Sequence, residues 1–120
     1  MIYKKPYKRT ERVRLLIQKI LGEITTKHID LSHLGFITFT RVDISPDLRH
    51  SKVFYSVINR KFPEDTINLE LNKLAKSFRK YLGQEIRLKN TPDITFYLDE
   101  AIKHEEHMQS IMKDLKISKS

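Results

Sequence analysis

Cysteine is absent from the 120 residues, so neither a disulfide framework nor a thiolate metal site can be built. Glycine is scarce. Gly22, Gly35 and Gly83 are the whole complement, too few for a Gly-rich phosphate loop of the Walker or dinucleotide kind. No apolar run is long enough to cross a bilayer as a helix. The opening stretch MIYKKPYKRTERVR contains no apolar h-region of a secretory signal. Together these absences lead to the expectation of a cytoplasmic domain without membrane contact. Acid is also in deficit: 15 aspartates and glutamates face 23 lysines and arginines, a formal net charge of +8.

The basic excess is clustered. Residues 1–20 hold Lys4, Lys5, Lys8, Arg9, Arg12, Arg14 and Lys19 against Glu11 alone. Residues 71–90 hold Lys73, Lys76, Arg79, Lys80, Arg87 and Lys89 against Glu85. Residues 91–107 reverse the sign, with Asp93, Asp99, Glu100, Glu105 and Glu106 against Lys103. Two basic blocks with an acidic counterweight are the footprint of a polyanion binder rather than a solubility device, with an ordinary solvated basic surface as the alternative on charge alone. A composition of 39% hydrophobic and 32% charged residues suits one wet globular domain, expected over residues 1–115 with a frayed tail at 116–120.

Periodicity supplies the elements. Val13, Leu16, Ile17, Ile20, Leu21 and Ile24 keep helical spacing and predict an amphipathic helix over about 8–26. FITFTRVDIS (36–45) and KVFYSVIN (52–59) read as strands joined through SPDLRHS, with the second strand central in composition. In the first strand, simple alternation places Phe36, Thr38, Thr40, Val42 and Ile44 on one side and Ile37, Phe39, Arg41 and Asp43 on the other. A long stripe, Ile67, Leu71, Leu74, Phe78 and Leu82, predicts helix over 66–83, with Asp65 or Thr66 as cap and Gly83 as stop. Residues 86–99 return to strand character, and Pro92 places that strand at a sheet edge or a bulge. A last helix is expected over about 100–113. The order is an α+β domain whose second and third strands are parallel and whose helices cover one face of a three-stranded mixed sheet.

Several patterns invite chemistry without supporting it. HEEHM places His104 and His107 three apart, not in the four-residue spacing of a His-Glu-x-x-His zinc helix, and no third ligand is apparent. Asp43, Asp47 and His50 flank the hairpin turn, where local hydrogen bonding accounts for such residues. Tyr3 and Tyr7 stand among lysines and could stack on bases, whereas Phe54, Tyr55 and Phe78 read as core or sheet packing. The expectation is a protein without catalysis, metal or cofactor.

Three stretches together resemble the ribosome-binding factor A family: RTERVRLLIQKIL as its first helix, ITFTRVDISPDLRHSKVFYSVI as its central signature, and LGQEIRLKNTPDITFYLD as its closing segment. The resemblance implies a type II KH-like fold, αββααβ, with an additional C-terminal helix, and a bacterial factor that associates with the small ribosomal subunit. It implies assistance in late 16S rRNA maturation, with other assembly factors such as a GTPase as further candidate partners, by a monomer. In this family a kinked helix pair around Ala-x-Gly replaces the backbone-clamping GxxG loop of KH domains. The matching residues are Ala75, Lys76 and Ser77, with serine where the family has glycine. The apolar stripe alone suits one continuous helix, so kink and continuity are both open. On either reading Lys73, Lys76 and Lys80, with Ser77 between them and Arg79 flanking, face away from the core as candidate rRNA contacts. Arg87 and Lys89 would extend that patch, and Lys8, Arg9 and Arg12 would add a second one. The rival reading is a KH-like protein–protein adaptor that does not touch RNA.

Overall fold

In the computed structural model, which describes residues 9–101, the chain runs α1 (Arg9–Lys27), β1 (Phe36–Ile44), β2 (His50–Ile58), α2 (Glu64–Lys73), α3 (Ala75–Glu85) and β3 (Asp93–Leu98). β2 is the central strand, antiparallel to β1 and parallel to β3. This is the expected αββααβ order on a mixed sheet. The expected last helix is described only at its first two residues, Glu100 and Ala101, which are helical; its remainder, with His104 and His107, lies outside the described residues, as do Tyr3, Tyr7 and Lys8. No helix among the described residues is long and apolar enough to cross a membrane.

α1 buries Val13, Ile17, Ile20, Leu21 and Ile24 against the sheet. Leu16, one turn position off that arc, is instead 43% exposed. The sheet answers with Phe39, Val42, Val53, Tyr55, Ile94 and Phe96, all buried. Phe39 and Val42 are of opposite parity in sequence, yet both point inward. A bulge between Phe39 and Arg41 leaves Thr40 unpaired and shifts the register, overturning the simple alternation expected for β1. Strand β3 lies at the sheet edge, but it begins only at Asp93; Pro92 is buried immediately before it, and residues 86–92 form its lead-in rather than part of a strand.

The crossover is two helices, not one. At Leu74, φ −88° and ψ −2°, the N–H donates to the Leu71 carbonyl at 3.0 Å, a three-residue step that tightens the chain before α3 begins. No described residue between 64 and 85 has positive φ, so serine at position 77 needs none of glycine's freedom. Ile67 and Leu71 of α2 and Phe78 and Leu82 of α3 are fully buried on either side of the break. The expected caps are not used. Pro63 occupies the N-cap position of α2 without a side-chain cap, fitting its fixed φ rather than a hydroxyl or carboxylate acceptor. Gly83 lies inside α3, which continues to Glu85 with Ile86 as C-cap.

Gly35 does need its freedom. Its φ of +133° is closed to residues with a side chain, and an added Cβ would come within 3.0 Å of Arg60 Cα and Val57 Cγ2. The backbone of strand β3 is fixed by α2. Asn72 accepts from the Phe96 N–H at 2.8 Å through Oδ1 and donates to the Phe96 carbonyl at 3.1 Å through Nδ2. Asn68 donates to the same carbonyl and to the Tyr55 hydroxyl. The side chain of Asn72 thus stands in for a neighbouring strand at an otherwise open edge. Asn72→Ala leaves that N–H unpaired, so urea unfolding is expected to show a loss of about 1–3 kcal/mol, with Asn72→Asp intermediate because it retains the acceptor.

Candidate nucleic-acid interface

Four segments distant in sequence meet along one side of the molecule: the start of α1, the outer face of α3, the β1–β2 turn and the lead-in to β3. They line a groove made of three adjoining depressions that share Asn90. One stretch is lined by Lys76, Arg79, Lys80, Gly83, Lys89, Asn90 and Thr91. The next passes Arg49, His50 and Asp93, and a third reaches Arg9 and Thr10 across the turn at Pro46, Asp47 and Leu48. Asn90 lines all three stretches. Arg9, Arg49, Lys76, Arg79, Lys80 and Lys89 therefore converge on one channel in which Asp47 and Asp93 are the acids. The first turn of α3 contains no acidic residue to offset these cations.

The groove walls are held by specific contacts. Arg79 donates from Nε and Nη2 to the Thr91 carbonyl, at 3.1 and 2.9 Å, clasping the β3 lead-in to α3. Gly83 permits that approach, since a Cβ there would lie 2.9 Å from Thr91 Oγ1. In the turn, the Ser45 hydroxyl donates to Asp47 Oδ1 at 2.6 Å and accepts from the His50 N–H at 3.0 Å. The Ser45 hydrogen bond, and then the Arg49 N–H, hold the Asp47 carboxyl below its usual range. Leu48 sits at φ +61°, an uncommon conformation for leucine that turns the chain toward Arg49. His50 Nδ1 meets Asp93 Oδ2 at 2.8 Å and so joins the start of β2 to the start of β3.

Not every residue expected in the patch lies in it. Lys76, Arg79, Lys80 and Lys89 line the groove, and Arg9 lines its far end. Lys73 is exposed but lies across the helix break, with Nζ 3.2 Å from Glu70 Oε1. The break therefore interrupts the single lysine stripe that a continuous helix would have presented. Ser77 is exposed and Ala75 half-buried at the start of α3, while Arg12 and Arg87 are exposed without lining the groove. Arg49, Asn90 and Thr91 were not anticipated. Arg49 had one legible signal, its place beside the hairpin turn.

The other candidate chemistry separates. Asp43 pairs with Arg41 at 3.6 Å, Asp47 serves the turn, and His50 pairs with Asp93, so the suspected acid and histidine cluster does not assemble. Among the described residues, no group of three or more histidines, cysteines or carboxylates is placed to hold a metal. Of the rings expected in core or sheet packing, Tyr55 and Phe78 are in the core and Phe54 packs on Tyr97 on the sheet face away from the helices. What remains is a solvated channel lined mainly by lysine and arginine, whose excess positive charge can bind a polyanion.

The family model for ribosome-binding factor A matches residues 9–112. The ribosome-binding factor A of Natranaerobius thermophilus is 34% identical over 109 residues, covering 91% of this chain and 83% of the relative. The crystal structure of ribosome-binding factor A from Thermus thermophilus shares the fold, with a TM-score of 0.65 at 16% identity over 77% of this chain and 97% of that one. Coordinates of the Thermus thermophilus factor as fitted into a cryo-EM map of a 30S complex give a TM-score of 0.58 at 18% identity, covering 72% and 91%.

Proposed function

The chain belongs to the ribosome-binding factor A family, and on that premise we propose that it binds the small ribosomal subunit by laying rRNA backbone in the basic groove. The observation that carries this reading is the convergence of Lys76, Lys80, Lys89, Arg49 and Arg9 from four separate segments on one channel. The Thermus thermophilus relative, fitted into a map of its 30S complex, supports the choice of partner.

The groove would work by binding energy alone, as a monomer in the cytoplasm, without cofactor or catalytic step. Lysine and arginine heads on exposed stems recognise phosphate without reading base identity, so selectivity would come from the shape of the immature 16S rRNA. A factor that prefers one conformation of the RNA stabilises it by the difference in affinity and departs when maturation removes those contacts. Ser77, exposed in the first turn of α3 beside the groove-lining Lys76, would be a further phosphate contact.

Filter binding to protein-free precursor 16S rRNA tests the reading. Affinity is expected to fall steeply and linearly on a log scale as salt rises, because each neutralised phosphate releases counterions. A chain that cosediments with small subunits but ignores naked rRNA at every salt concentration would be a protein–protein adaptor instead.

A further inference from the structure

The helices α1, α2 and α3 pack on one face of the sheet, and the other face carries a compact group of rings and cations. Phe54 on β2 and Tyr97 on β3 are cross-strand partners there, with ring centroids 5.7 Å apart and planes tilted by 30°. The Arg41 guanidinium carbon lies 4.1 Å from the Phe54 ring centre, and Lys52 Nζ lies 5.9 Å from that of Tyr97. Tyr97 is 41% exposed, and the pair Phe36 and Ile58 further along the face are 66% and 51% exposed.

We propose that this sheet face is a second nucleic-acid contact, a platform on which unpaired bases of single-stranded RNA stack against Tyr97 and against the guanidinium plane of Arg41 that Phe54 supports from below. Tyr97 and the guanidinium lying on Phe54 are flat groups on adjacent strands against which bases can stack, and Lys52 beside them can hold a phosphate. A guanidinium already lying over a ring offers a flat, weakly hydrated surface to a base as well. The charge suits RNA: Arg41 and Lys52 stand at the rings, and Asp43 is paired with Arg41. Position suits it too. In the β2–β3 register, His50 opposite Asp93 lines the groove, and Lys52 opposite Thr95 is the next outward pair on the open face. A strand leaving the groove past Arg49 meets Lys52 first and the rings next. The proposal rests on the groove binding RNA and extends that RNA's path.

The full chain contains no tryptophan, so Tyr97→Trp introduces a single reporter at the platform. Oligouridine of about ten nucleotides, a length within the span of one small single-strand site, is the probe. Saturable quenching of the variant's emission is expected. Adding Phe54→Ala should weaken binding by about tenfold while leaving the slope of log affinity against log salt unchanged, because stacking releases few counterions. Adding Lys76→Gln and Lys80→Gln should lower that slope and leave the quenching at saturation intact. Oligouridine held in a salt-dependent manner with unaltered emission would overturn the platform and leave the groove standing. Absence of any binding would overturn both. Quenching by ribosomal proteins but not by oligouridine would identify the face as a protein contact and overturn the proposal. If Phe54→Ala does not fold, the emission of the Tyr97→Trp variant alone decides.

Discussion

Phe78→Ala is expected to cost about 3–5 kcal/mol, the largest effect of any single truncation considered for this fold. The side chain is fully buried at the start of α3. Its ring meets Phe96 edge-on at 5.2 Å and Phe39 at 6.0 Å with an interplanar angle of 89°. Those three rings tie α3 to both edge strands, β1 and β3, so the cavity left by alanine would lie where three elements meet. Rigid sheet walls cannot close it, which favours the upper part of the range. Differential scanning calorimetry should show the melting temperature falling by about 15–25 °C for a domain of this size. Phe78→Leu, which keeps most of the volume, should recover more than half of the loss. A melting temperature unchanged by Phe78→Ala would refute the packing described for the helix pair.

The second large effect falls on binding. Replacing Lys76, Lys80 and Lys89 together by Gln should lower the slope of log affinity against log salt by about 2–3 units, since each lysine would neutralise about one phosphate. All three are exposed, so each should change stability by no more than about 0.5 kcal/mol. Lys73→Gln is the internal control. Its ammonium is already paired with Glu70 and lies across the break from the groove, so the salt slope should be nearly that of the parent. Arg79 is a poor probe by comparison. Its guanidinium clasps the Thr91 carbonyl, and substitution would loosen the groove wall as well as remove a charge.

The contrast between Lys73 and Lys76 shows how far a one-dimensional pattern reaches. The apolar positions Ile67, Leu71, Leu74, Phe78 and Leu82 keep helical spacing straight through the break, because one tightened turn at Leu74 barely alters which side faces the core. The buried face was therefore legible and the interruption of the exposed face was not. Strand β1 fails for a related reason: threonine and phenylalanine suit either face of a strand, so nothing local betrays the extra residue at Thr40. Gly83 looked like a helix stop, but its small size serves the approach of Thr91, a neighbour only tertiary structure supplies. The α3 lysines were legible as an outward face, and Lys89 as an extension of it. Asn90 was not, and Arg49 only as a cation beside the turn, because the parallel pairing of β2 with β3 is what brings the hairpin turn beside the β3 lead-in.

A map of this protein on a precursor small subunit would test the groove most directly. Lys76, Lys80, Lys89 and Arg49 are expected within ion-pair reach of consecutive rRNA phosphates, with Ser77 and the start of α3 against the same strand. A map in which the groove faces solvent or a polypeptide, while rRNA contacts another side of the chain, would contradict the account.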